Sequence, residues 1–340
     1  MPKSLAVAEP AIDAKPFETI RNLAGGYVLP RCLHVVSKIG VADALDDSPM
    51  TAAELAEATG SNPDALARIL RLLAAHGVFE ARDGSISHSP ASRLLRSDHP
   101  HSMRALAQML GFDVCWATLE HLEQSVLSGE PAAKQVLPGG FWNYLEEHPD
   151  EGRVFDAAMT AKAAAQIAGI VQACDFSRFG LIADIGGGRG HLLQAVLDRV
   201  PAAEGVLFDL PHVVRAAEDA ASERLKLQPG DFFKDALPAC DAYILMEIIH
   251  DWNDADARQI LTSVRRAAPR HARLLLIESI VPGTPGPDWS KVLDVLMLTL
   301  LGGRQRTLGE YRALLSGAGF RFEREIKASP DISILEASVV

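Results

Sequence analysis

Residues able to do chemistry fall in five short stretches of the C-terminal half. The run LIADIGGGRGHLL is apolar up to Asp184, then places Gly186, Gly187, Gly188 and Gly190 ahead of a helical pattern. Glycines at a strand-to-helix turn let the backbone come close to a ligand and leave the helix N-terminus open to it, although a tight turn holding nothing uses the same residues. GVLFDLPHVV ends its apolar run in Asp209, 25 residues after Asp184, and GDFF brings Asp231 and Phe232 a further 22 residues on. A carboxylate ending the second strand can accept hydrogen bonds from both hydroxyls of a ribose, or cap the next helix. Asp231 and Phe232 could meet a base by hydrogen bond and stacking. ILMEIIHDWND reads as a buried strand ending in His250, Asp251 and Trp252, and LLLIESIVP carries Glu278. A histidine beside carboxylates can serve as a general base, and can equally be a polar cap on a strand.

These stretches need a scaffold, and the spacing of apolar residues supplies one. From about residue 180, short apolar runs alternate with helical stretches, which predicts an α/β domain with a mostly parallel sheet. From about 17 to 175 the chain reads as helical nearly throughout. MTAAELAEATG sets Thr51 before Glu54 as a capping box and ends at Gly60; NPDALARILRLLAAHG starts on Asn62-Pro63 and ends at Gly77; VFEARDGSISHS turns at Asp83-Gly84. Helix, turn, helix, hairpin is a winged-helix order. Arg68 and Arg71 could face DNA, but Asp43, Asp46, Asp47, Glu54, Glu57 and Asp64 crowd the same region, and phosphate binding needs clustered cations. A packing and dimerisation module is the expectation.

The 340 residues carry a net charge of −11, which argues against a basic nucleic-acid surface. Cys32, Cys115, Cys174 and Cys240 are far apart, so neither a disulfide framework nor structural zinc is expected, and a reducing cytoplasmic setting fits. The first eighteen residues hold Glu9 and Asp13 and no long apolar core, unlike a signal peptide, and no stretch reads as the apolar span of a membrane helix.

The loop itself narrows the ligand. A P-loop needs GxxxxGK[ST], and no Lys-Ser/Thr follows; a dinucleotide fingerprint would have glycine where His191 stands. The D-x-G-x-G-x-G loop of S-adenosylmethionine-dependent methyltransferases matches at Asp184, Gly186, Gly188 and Gly190. With FDLPHVV, GDFF, IIHDWNDADARQIL, LLLIESIVP, GGRQRT and FWNYLEEHPDEGRVFDAAM, nearly the whole chain resembles the caffeic-acid and acetylserotonin type of O-methyltransferase, including bacterial enzymes of natural-product pathways.

That resemblance implies a Rossmann-like seven-stranded methyltransferase domain at 176–340, an α-helical winged-helix dimerisation domain at 1–110, and a helical linker with part of the substrate pocket at 111–175. It implies S-adenosyl-L-methionine as methyl donor, S-adenosyl-L-homocysteine as product, a small aromatic or polyketide-like hydroxyl compound as acceptor, and a homodimer, with no nucleic acid, membrane or metal partner. The donor would lie along Asp184, Gly186, Gly188, Asp209, Leu210, Asp231 and Phe232, with Trp252 against the adenine. His250 aligns with the general base, Asp251 with its substrate-facing neighbour and Glu278 with the acid that orients the histidine. Phe155, Met159 and Met297 align with apolar walls around the reacting centre.

The chain departs from the family pattern in two places. Gln305 stands in GGRQRT where many members have a second acid, and Met246 stands four before His250, where a lysine is frequent. An amide can hold a ring but cannot offset imidazolium charge. Relatives that keep the cofactor yet hydroxylate, decarboxylate or close rings therefore remain an alternative, and a winged-helix ligand sensor is a further one. His88, His99, His101 and His148 read as loop residues, and His34 and His76 as packing or surface residues of helices.

Overall fold

The computed structural model describes residues 14–340, so the reading of the extreme N-terminus lies outside the described residues. The chain divides into two compact units, 1–111 and 112–340.

In the first unit the local signals act as their chemistry requires. Thr51 caps the helix Ala52–Thr59 in a reciprocal capping box with Glu54, and Gly60 closes it in a left-handed conformation. Asn62 caps Pro63–Ala75 through the Ala65 N–H; this helix ends on His76, one residue before the expected Gly77. Strands β1 (Met50–Thr51), β2 (Phe79–Arg82) and β3 (Ser85–His88) form an antiparallel sheet in the order β1-β3-β2, with Asp83 and Gly84 both at positive φ in the hairpin turn. Leu55, Leu66, Leu70, Leu73, Phe79 and Ile86 close its core. His88 belongs to β3 rather than to a loop: its ring meets Ser92 Oγ and the Leu45 carbonyl. His34 is buried in the helix Val28–Ile39.

The second unit is built on strands β4 (Leu181–Ile185), β5 (Glu204–Asp209), β6 (Leu225–Pro229), β7 (Ala242–Met246), β8 (Arg273–Glu278), β9 (Phe320–Lys327) and β10 (Ser333–Val339). They form one seven-stranded sheet, β6-β5-β4-β7-β8-β10-β9, parallel except where β10 runs antiparallel to both neighbours. The central strands are buried on both faces, so their apolar runs are continuous, as parallel sheets require. Ala183, Phe208, Tyr243, Leu245, Leu274 and Leu276 pack beneath the helices Asp254–Ala267 and Leu308–Gly317. Their alternates Ile182, Leu207, Ile244, Leu275 and Ile277 pack with Leu193 and Val196 of the helix His191–Arg199 and Ile170 of Pro149–Ala173.

Among the described residues Pro149–Ala173, 25 residues long, is apolar and long enough by composition to cross a membrane, contrary to the sequence reading. Its Ile170 is fully buried in the sheet-face core and its Lys162 pairs with Glu247, while only 12% of its apolar window is buried.

Tyr243 crosses the core with its hydroxyl donating to the Pro238 carbonyl at 2.7 Å and accepting the Cys240 N–H at 3.0 Å. Tyr243→Phe leaves a buried N–H unpaired and should lower stability by about 1–3 kcal/mol in urea titration, whereas a merely apolar role would leave the midpoint unchanged.

Candidate functional site

The glycine loop leaves β4 directly into the helix His191–Arg199. Asp184, one residue from the strand end, is buried; its Oδ1 has no partner among the described residues, and burial together with the charge of Asp209 pushes its carboxyl up to about 7. Gly186 has φ +72, and a Cβ there would fall 2.6 Å from Ile248 Cδ1, so the loop lies directly against the Ile248 side chain after β7. Asp209 ends β5 and holds the loop: its Oδ2 accepts the Gly188 N–H at 2.8 Å and its Oδ1 the Leu210 N–H at 2.7 Å. Each carboxylate oxygen has two acceptor directions, so both retain capacity for a ligand's hydroxyls. Burial pushes Asp209 up against the pull of these N–H bonds. Leu210 itself is exposed, just before the helix Pro211–Ala216.

Asp231 follows β6, accepting the Phe233 N–H and pairing with Lys234. Phe232, Phe233 and Trp252 meet edge to face, with centroids 4.8–5.9 Å apart. The sequence reading brought Phe232 and Trp252 to one place but missed Phe233. Only a triplet of aromatics in space marks it, and GDFF alone does not choose between its two phenylalanines.

The strand expected to run to His250 stops earlier. β7 ends at Met246, Glu247 takes φ +53, and Ile249–Asp251 form a 3₁₀ turn. The turn swings His250 to the end of β8, where Glu278 is fully buried. Glu278 Oε1 accepts the Ile249 N–H at 2.9 Å, while its Oε2 stands 3.4 Å from His250 Nδ1 and accepts no hydrogen bond among the described residues. The Gln305 amide Nε2 is 2.8 Å from the same Nδ1, and its Oε1 is also without a partner among the described residues. Asp251 Oδ1 lies 3.2 Å from Nε2.

Two tautomers of neutral His250 therefore compete. With the amide N–H donating to Nδ1, the proton sits on Nε2 and points at Asp251. With the proton on Nδ1, the two orphan acceptors, Glu278 Oε2 and a turned Gln305 carbonyl, gain a donor and Nε2 is free to accept a proton. Burial alone would push His250 down, but the charges of Glu278 and Asp251, with Glu247 behind them, outweigh it and lift it to about 9. Burial in turn pushes Glu278 up to about 7 against the pull of His250.

The C-terminal segment clamps this turn. A Cβ on Gly303 would fall 2.1 Å from the His250 carbonyl oxygen, so only glycine passes there. Asp294 accepts the Gln305 N–H. Arg306 is fully buried, donating to the carbonyls of Ile249 (2.9 Å) and Trp252 (2.8 Å) and, through Nε and a terminal nitrogen, to Asp254 Oδ1. In GGRQRT a basic residue next to Gln305 is its only mark in sequence.

Phe155 and Met159 stand one turn apart on Pro149–Ala173, and Met297 is buried on the helix Trp289–Leu300. Phe155 packs edge-on against Phe141 and Trp142. Lys162, on the same helix, pairs with Glu247 at 2.6 Å; the sequence reading did not find this pair.

Removing the clamp strands two buried carbonyls. Arg306→Met should cost roughly 3 kcal/mol or more and lower the thermal midpoint. A melting curve superimposable on the parent's would show that the turn holds itself.

A family model described as the O-methyltransferase domain matches residues 119–321, and one described as the O-methyltransferase dimerisation domain matches residues 21–98. The chain is 39% identical over 320 residues to phenazine O-methyltransferase PhzM of Lysobacter antibioticus, covering 92% of this chain and 93% of that protein. It is 40% identical over 300 residues to 8-amino-8-demethylriboflavin N,N-dimethyltransferase of Streptomyces davaonensis, covering 85% of each. The solved structure of NcsB1, an O-methyltransferase from neocarzinostatin biosynthesis in complex with S-adenosylmethionine and 2-hydroxy-5-methyl naphthoic acid, superposes with a TM-score of 0.79 at 30% identity, covering 92% of this chain and 96% of that one. The chain belongs to the O-methyltransferase family: it is an S-adenosylmethionine-dependent enzyme whose methyltransferase domain follows a dimerisation domain.

Proposed function

We propose that this enzyme methylates a hydroxyl of a small aromatic or polyketide-like compound, with His250 as general base. The observation that carries the assignment is the buried His250 flanked by Glu278, Gln305 and Asp251, one strand over from the glycine loop. The donor, when bound, supplies a methyl group on a positively charged sulfur. Asp209 would accept from its ribose, with Leu210 beside it; Asp231 and the Phe232–Phe233–Trp252 cluster would meet its adenine, and Asp184 would brace the loop of Gly186 and Gly188. Phe155, Met159 and Met297 would wall the acceptor, since thioethers adapt to irregular apolar shapes.

Charge decides how the base works. A phenol titrates near pH ~10 and free imidazole near ~6.5, so full proton transfer would cost about 5 kcal/mol at ~1.4 per unit. With His250 lifted to about 9 by its carboxylate neighbours, that cost falls. The counterpart is that His250 is protonated at neutral pH and must lose that proton before it can accept another. Glu278 stabilises the imidazolium; Gln305, being neutral, adds no fourth negative charge that would lock the proton on.

Methyl transfer to an aromatic amine is a second reading, favoured by the 40% identity to the N,N-dimethyltransferase. An amine acceptor loses its proton more easily after methylation and depends less on His250.

A panel of phenols, hydroxylated heterocycles and aromatic amines with methyl-labelled donor finds the acceptor. On a phenol, kcat/KM should climb with pH up to about 9, because the base is the deprotonated form of a group raised above ~6.5. His250→Ala should cost about 10²- to 10⁴-fold and flatten that limb. Turnover unchanged by His250→Ala would reduce His250 to a positioning residue.

We also propose that the enzyme works as a homodimer. Phe17, Ile20, Leu23 and Tyr27 are 61–75% exposed on or just after the helix Ala14–Ala24, an apolar surface within the segment preceding and entering the matched dimerisation domain. Sedimentation equilibrium should give a dimer for the parent and a monomer for the Phe17→Ser/Ile20→Ser/Leu23→Ser variant. A monomeric parent at micromolar concentration overturns the proposal.

A further inference from the structure

Glu151, Phe155 and Met159 stand at successive turns on one face of the helix Pro149–Ala173. Three residues past Met159, Lys162 is tied to Glu247, which follows β7 and shortly precedes the His250 turn. The Met159 end of this face is therefore the end near His250, and Glu151 marks the end away from it. Eight residues of helix separate Glu151 from Met159, a rise of about 12 Å at ~1.5 Å each, which is longer than one aromatic ring with its substituents.

The helix Gly140–Glu147 packs on this one and supplies matching rungs. Phe141 meets Phe155 edge-on, with centroids 5.6 Å apart. One turn further along, the Tyr144 hydroxyl donates to Glu151 Oε2 at 3.0 Å. An apolar rung is thus followed by a polar one. The tyrosine ring is fixed as well: the His148 ring stacks on it with centroids 4.0 Å apart, and His148 Nδ1 donates to the Tyr144 carbonyl at 2.8 Å. Cys115, buried on the helix Asp113–Glu120, lies beside the same carboxylate, since burial and then the charge of Glu151 push its thiol up to about 12. That helix packs in turn on Trp289–Leu300, which carries Met297. Tyr144 and Glu151 therefore belong to the helices that carry Phe155, Met159 and Met297, at the end remote from His250.

What this half-buried pair leaves over is all of one kind. Glu151 Oε1 has no hydrogen-bond partner among the described residues, and the Tyr144 oxygen, whose proton is engaged by Glu151, keeps its lone pairs. Burial, followed by the bond to Glu151, pushes the Tyr144 hydroxyl up to about 12, so it stays protonated and goes on donating. The pair offers acceptors and no free donor. Such a surface fits an amino or hydroxyl group and rejects a carboxylate.

We propose that Tyr144 and Glu151 form the acceptor-specificity site of this enzyme, receiving an amino or hydroxyl substituent at the far end of an aromatic acceptor built on more than one ring. The assignment rests on the reading of Phe155, Met159 and Met297 as the acceptor wall.

Acceptors compared within one enzyme preparation test it, because a ratio of kcat/KM values cancels any loss of folded protein. The probes are naphthol, aminonaphthol and hydroxynaphthoic acid, each with the added group on the ring remote from the hydroxyl. With methyl-labelled donor, the parent should prefer aminonaphthol to naphthol by about 10-fold and disfavour hydroxynaphthoic acid by a similar factor. Tyr144→Phe and Glu151→Gln should each bring the aminonaphthol-to-naphthol ratio toward one. Glu151→Gln, whose amide can donate, should also readmit hydroxynaphthoic acid. Equal kcat/KM for aminonaphthol and naphthol in the parent, or a preference that survives Glu151→Gln, overturns the proposal. A parent that methylates none of the three overturns the acceptor-wall reading itself, and is thereby told apart from failure of the specificity site.

Discussion

A carboxylate with no access to water sets the terms for the catalytic half of this protein. Glu278 ends β8 inside the fold, and a buried charge is tolerated only when other groups answer it. One oxygen is answered by the Ile249 N–H, which is available because the chain has already turned out of β7 at Glu247. The other faces His250 Nδ1. The turn that presents His250 is thus defined by the same side chain that raises its affinity for a proton, so position and basicity come from one contact. Arg306 completes the arrangement from behind by taking the carbonyls that a 3₁₀ turn leaves over.

Much of this was legible in the sequence because local chemistry and global pattern agreed. The Thr51–Glu54 box, the Asn62-Pro63 start and the Asp83-Gly84 hairpin each need only a few neighbouring residues to be recognised, and each formed. Apolar runs of strand length alternating with helices gave the parallel sheet, since continuous runs are what a sheet covered on both faces requires. The count of seven strands came instead from the family resemblance, while the dimerisation module was already readable from the helix, turn, helix, hairpin order and its acidic residues, and the matched families agree with both.

What was not legible depends on tertiary contact. ILMEIIHDW gives little local sign that the strand stops at Met246, since the two isoleucines after Glu247 suit a strand well; the left-handed turn comes with the Glu278 contact and the clamp. Lys162 and Glu247 are 85 residues apart and meet only once the helix lies over the sheet. Arg306 offered a basic residue in an otherwise unremarked position, and its burial could not be inferred from composition, because arginine is ordinarily exposed. Asp251 was expected to face a substrate, and the structure sets it 3.2 Å from the outer nitrogen of His250.

The close passage of Gly303 beneath His250 has a consequence for how such an enzyme can diversify. Because no side chain fits between that backbone and the His250–Asp251 main chain, the turn that carries the imidazole cannot be shifted by small steps to suit a new acceptor. What can vary at little structural cost is the charge of the groups around it. An amide in place of a carboxylate, as at Gln305, keeps shape and hydrogen bonding while altering how tightly the ring holds its proton. Selection among acceptors of different acidity can then act on electrostatics with the geometry held constant.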